Sequence, residues 1–245
     1  MSHHRSGARG ASGWRGGSAT RFARQFLRSA KYVTFCLALV GAIRPCAAAE
    51  LAVSVVEASG RALGDVVVTI APASGAAVLP TSGPRSAVMD QRHRAFVPRV
   101  LAIATGASVE FPNNDDVNHQ VYSFSPAKRF QLPLYKGAHH PPVSFDQQGL
   151  VVLGCNIHDE MVGYIYVTDA PWFGTTGPDG TLRITAPPAG DYRISIWSPL
   201  IADPPSALTR IVHVDAAEGA TSRVQLTRAL RARPEPRPRR GDWEY

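Results

Sequence analysis

From residue 50 onward the apolar residues fall in short runs with almost nothing at helical spacing. Leu51 to Val56, Val66 to Ile70, Val100 to Ala104, Ser108 to Phe111, Gln120 to Phe124, Leu150 to Leu153 and Tyr164 to Val167 are rich in Val, Ile, Tyr and Phe, and Gly, Pro, Asn and Asp separate them. Runs of that kind predict strands. Their number and spacing within residues 50–170 suit one sandwich of two sheets. Gly60 and Gly64 mark the first turn, and Ala71 to Arg94 reads as a polar excursion rich in Pro and Gly.

After Asp169-Ala170-Pro171 the pattern restarts. Turns at Gly177 to Gly180 and Pro187 to Gly190 separate strands at Leu182 to Thr185 and Tyr192 to Trp197, and Arg210 to Val214 and Ser222 to Leu226 continue the series. The stretch PDGTLRITAPPAGDYRISIW resembles the carboxypeptidase regulatory-like β-sandwich. That resemblance implies a second, smaller β-sandwich over residues 171–228, for which a carbohydrate partner is one expectation. Residues 229–245 are rich in Arg and Pro, a composition expected to stay disordered.

Charge changes the picture once it is located. The formal charge of +7 invites a nucleic-acid reading, but eight of the 26 Lys and Arg lie in residues 1–49, which contain no Asp or Glu. From residue 50 onward 18 basic residues meet 19 acidic ones, a net charge of −1, and the nucleic-acid reading falls. Residues 1–49 have the parts of a secretory signal: a basic start, an apolar stretch from Tyr32 to Ile43, and small residues at Ala47-Ala48-Ala49. The expectation is a periplasmic or secreted protein with no transmembrane anchor after cleavage.

Export makes the cysteines informative. Cys36 and Cys46 would leave with the signal, so Cys155 would stand alone in an oxidising compartment. A lone thiol there is either buried and inert or a metal ligand. Cys155, His158 and Met161 form a C-x2-H-x2-M pattern between two strands, and His119 precedes another strand 36 residues upstream. Thiolate suits Cu(I), imidazole accepts either copper oxidation state, and a weak thioether tunes the couple. Zinc is the chemical rival, although methionine is a poor zinc ligand. A nucleophilic Cys/His pair is a second rival, but no oriented base or oxyanion site accompanies it, so the chain is not expected to be an enzyme.

The segments GLVVLGCNIHDEMVGYIYV and FPNNDDVNHQVYSF resemble the two ligand segments of the cupredoxin family, amicyanin and plastocyanin among its members. The span from Glu50 to Trp197 is similar to bacterial cupredoxin-like chains labelled methylamine utilization proteins. The resemblance implies an all-β fold, a cupredoxin-like Greek-key β-sandwich over residues 50–170 followed by the smaller unit. It also implies one type 1 copper held by His119, Cys155, His158 and Met161, and electron transfer with a redox partner protein. A non-redox binding role and copper delivery or storage are the alternatives.

Several residues depart from that pattern. Gln120 stands where cupredoxins usually have Asn, Gly154 where an aromatic often precedes the cysteine, and Ser198 where related chains tend to have His. Asp159 and Glu160 follow His158 in place of an apolar docking patch, and Glu160 competes with Met161 as the fourth ligand. Asn113, Asn114, Asp115 and Asp116 lack the spacing and glycine of an EF-hand, and His139-His140 reads as an exposed loop.

Overall fold

The computed structural model describes residues 50–75, 83–137, 140–185, 187–215 and 218–232, all within one compact unit. The leader, His139 and the tail beyond residue 232 lie outside the described residues. The strands are β1 (Glu50–Val56), β2 (Val67–Pro72), β3 (Ser86–Val88), β4 (Asp90–Arg92), β5 (Ala95–Val97), β6 (Val100–Ala104), β7 (Ala107–Glu110), β8 (Tyr122–Ser125) and β9 (Lys128–Gln131). They continue with β10 (Val143–Phe145), β11 (Gly149–Cys155), β12 (His158–Thr168), β13 (Trp172–Thr175), β14 (Thr181–Thr185), β15 (Gly190–Trp197), β16 (Arg210–Val214) and β17 (Ala220–Gln225). A single 3-10 turn, Pro205–Leu208, is the only helical segment among the described residues, and no described helix is long and apolar enough to cross a membrane.

The all-β expectation holds, and the strands enclose two separate cores. One is an outer sandwich, with sheets ordered β14-β1-β17 and β13-β2-β15-β16. Leu51, Val53, Val55, Val66, Val68, Ile70, Ile194, Ile196, Val214 and Val224 fill it. The other lies between the sheets β10-β7-β3 and β6-β12-β11-β8-β9, with β4 and β5 as a separate hairpin. Met89, Phe96, Val109, Phe111, Val121, Phe145, Leu153, Cys155, Met161 and Ile165 fill that core.

The division differs from a boundary at residue 170. β1 pairs with β14 and β17, and β2 pairs with β13 and β15, so residues 50–72 belong to the outer sandwich and the other core is inserted between β2 and β13. The physical reason is that alternation buries one face of a strand without naming the strand beside it. Leu51, Val53 and Val55 alternate inward, as a strand of either core would. The excursion after β2 likewise contains β3 and β4, each three residues long, and β3 is held by parallel pairing with β7.

Candidate metal centre

The C-x2-H spacing is a hairpin spacing. β11 and β12 pair antiparallel from Gly149↔Val167 to Gly154↔Val162, and after a register shift Cys155 faces His158 across the two-residue turn Asn156-Ile157. On β11 the period of two buries Val151, Leu153 and Cys155; on β12 it buries Met161, Gly163, Ile165 and Val167. The shift inserts Asp159, Glu160 and Met161 on one side, a β-bulge of the kind that re-aims side chains at a site. Sequence reading had His158 to Met161 as loop, whereas strand β12 already begins at His158.

His119 reaches the same end of the core from the segment just before β8. It exchanges both backbone hydrogen bonds with Tyr135, at 2.9 Å each, which sets His119, Val121 and Ser123 on the buried face. Burial pushes the Tyr135 phenol up to about 12, so it stays neutral and donates to the Phe111 carbonyl while accepting from Gln91. Asn113 braces the intervening loop, its amide donating to the carbonyls of Tyr135 at 2.7 Å and Val117 at 3.0 Å.

Three donors converge. The two Nδ1 atoms of His119 and His158 lie 3.1 Å apart, and the Cys155 Sγ is 3.8 Å from each. His119 is 0 % exposed, Cys155 2 % and His158 6 %, and Met161, at 1 %, is buried in the same apolar cluster as Cys155. Glu160 is only half-buried and Asp159 is exposed. Among the described residues this is the one His/Cys/Asp/Glu group spaced to hold a metal ion.

The spacing can be tested against an ion. With metal–nitrogen distances of about 2.0–2.1 Å and a metal–sulfur distance of about 2.3 Å, these separations correspond to angles of roughly 100° between the nitrogens and roughly 120° between each nitrogen and the sulfur. The residues therefore fit one metal ion held by two imidazoles and a thiolate, a donor set that suits copper.

Sequence reading missed Asp115. Its Oδ2 lies 2.8 Å from His119 Nε2, and the same oxygen accepts the Arg94 amide at 2.6 Å while Oδ1 accepts the Asp116 amide at 2.8 Å. Burial alone would push its carboxyl up; the hydrogen bonds from Arg94, His119 and Asp116 outweigh that and hold it well below the usual carboxylate range. An ionised carboxylate only accepts, so Nε2 carries the hydrogen and a neutral His119 presents its Nδ1 lone pair to the other donors. The only sequence signal is the acid four residues before the histidine. The half-buried His140 packs edge-on against Tyr135, with ring centroids 4.4 Å apart, and is not the exposed residue expected.

Neither a protein-family model nor a curated protein matches the chain. Among solved structures it is similar to a purple cupredoxin from Nitrosopumilus maritimus at 23% identity, over 34% of this chain and 99% of that one, with a TM-score of 0.31. An oxidized amicyanin variant matches at 18% identity over 41% of this chain and 98% of that one, with a TM-score of 0.32. A copper-containing nitrite reductase from Thermus scotoductus matches at 23% identity over 46% of this chain and 28% of that one, with a TM-score of 0.33. At these scores the likeness carries no weight for function, which rests on the donors themselves.

Proposed function

We propose that the protein is an exported, mononuclear type 1 copper protein that carries single electrons between partner redox proteins. The observation that supports this most is the buried trio of His119 Nδ1, His158 Nδ1 and Cys155 Sγ, 3.1–3.8 Å apart on a tight hairpin and the bridge segment that precedes β8. Cys155 would supply the soft thiolate, the two histidines imidazole nitrogen, and Met161 a weak thioether. When bound, copper provides a one-electron couple between Cu(II) and Cu(I).

The chain's own part is to hold the donors still. Strand pairing fixes Cys155 opposite His158, the Tyr135 bridge fixes His119, and the surrounding apolar cluster keeps water out. Burial of every donor supports a carrier over an enzyme, because a substrate would need an open face. His158 is the least buried of them, beside the 44 % exposed Ile157, and is the natural exit for an electron. Asp159 and Glu160 make that rim acidic, which favours a partner with a basic surface.

Purified full-length protein given one equivalent of Cu(II) should develop intense visible absorption from thiolate-to-copper charge transfer and a narrow type 1 EPR signal. Cys155→Ala should abolish both. Colourless wild-type protein would overturn the redox reading.

A further inference from the structure

We propose that Asp115 is the positioning residue of this centre: a fixed anion that holds His119 as its Nε2–H tautomer and biases a bound copper towards Cu(II). The second half of that statement rests on the copper reading; the first does not.

The contact is built, not incidental. The His119 ring is 0 % exposed and the Asp115 side chain 5 %, so little water competes for the 2.8 Å bond between Nε2 and Oδ2. The same Oδ2 is gripped by the Arg94 main-chain amide, a donor that no protonation change can remove. That amide is aimed by a tight turn in which His93 and Arg94 take left-handed backbone angles, with φ of 52° and 56°. On the other side the Asp115 amide donates to Asn113 Oδ1 at 3.0 Å, and Asn113 is itself tied to Val117 and Tyr135. The carboxylate is thus clamped between the β4–β5 hairpin and the loop that carries His119.

Two consequences follow from chemistry. A carboxylate cannot donate, so the bond leaves His119 one neutral tautomer, with its Nδ1 lone pair directed at His158 and Cys155. A main-chain carbonyl could do as much. What the carboxylate adds is a negative charge one imidazole ring away from the ion, which raises ligand basicity and favours the more positive oxidation state.

The test compares Asp115→Asn and Asp115→Ala in the full chain. Without metal, 15N–1H correlation of the histidine rings should show wild-type His119 as the Nε2–H tautomer and mixed tautomers in Asp115→Ala. With copper, Asp115→Asn should keep the visible band yet shift the Cu(II):Cu(I) affinity ratio about tenfold towards Cu(I), a rise of about 59 mV in midpoint potential. Asp115→Ala should also weaken binding of Co(II), used as a redox-silent probe, about 10- to 100-fold. Should Asp115→Ala not fold, the tautomer is read in Asp115→Leu, whose side chain cannot accept from Nε2. An unchanged tautomer overturns the positioning role. An unchanged potential in a wild-type/Asp115→Asn pair that both load copper overturns the electrostatic role. Failure of the wild type to load copper instead removes the copper reading, and the tautomer result still decides the first half alone.

Discussion

Set side by side, the outer core is aliphatic apart from Tyr192, whereas the inserted core contains Met89, Cys155 and Met161 together with Phe96, Phe111, Tyr135 and Phe145. The inserted region also buries His119 and His158 along with Gln91, Asn113 and Ser123, whereas the polar residues buried in the outer one are Thr176, Ser198, Asp203 and Ser222. Both regions are built from short alternating strands, so the difference lies in what the strands enclose. Aliphatic burial stabilises a fold whatever surrounds it, at about 25 cal/mol per Å². Buried donors do so only when their lone pairs have partners. The outer sandwich is therefore a scaffold, and the stability of the inserted core is coupled to what its donors hold.

The largest expected effect comes from the scaffold. Ile194 is fully buried on the central strand β15, opposite Ile70 of β2. Ile194→Ala should cost about 2–5 kcal/mol by denaturant unfolding, equally with and without copper, while the folded variant keeps the wild-type visible spectrum. A lost spectrum would show that the two cores are not separable.

Metal removal should be next in size and should act on the inserted core. Copper at 100 times its dissociation constant should stabilise the protein by about 2.7 kcal/mol, and a chelator should reverse this. His158→Ala should erase the difference between loaded and stripped protein. A copper-independent melting temperature in the wild type would break the comparison from the other side.

Acid titration of Asp203 gives the smallest effect, and it acts on the scaffold. Asp203, 7 % exposed, accepts the hydroxyl and amide of Thr227 and the amide of Arg228 just beyond β17. The bond from the Thr227 hydroxyl leads, and with the other donors it holds the Asp203 carboxyl below its usual range against the opposing effect of burial. A depressed folded value means stability present above the ordinary aspartate pKa of about 3.9 and lost as pH falls through the lower folded one. Asp203→Asn should flatten that part of the stability profile, measured by denaturant midpoint against pH, without touching the copper spectrum.

What was legible in the sequence follows from the same contrast. Cys155 and His158 could be read because a two-residue hairpin turn dictates their spacing, and His119 because a histidine at the head of a strand can meet them. The partners of β1 and β2 could not be read, since Leu51, Val53 and Val55 fit either sheet until their neighbours are known. Asp115 was hidden for a related reason: its meaning depends on Arg94, 21 residues away and brought close by a hairpin that the sequence showed only as a polar stretch. Gly154 shows the same limit. It looked like a missing aromatic, yet a Cβ there would lie 2.7 Å from the Tyr122 ring, which covers that spot from the adjacent strand.

The region with the candidate metal site is inserted between β2 and β13 as a single excursion of the chain. Ile70 and Trp172 are direct cross-strand partners, so the chain leaves the outer sandwich and re-enters it at neighbouring points. In polymer terms the whole inserted region is a hairpin loop of roughly 100 residues, and closing a flexible loop of that length costs only about 3 kcal/mol more than closing one of four. A folded insert with its ends already together lowers even that cost. Excising residues 73–171 in favour of a short turn, or grafting them into another antiparallel hairpin, would turn that junction into an engineering cassette.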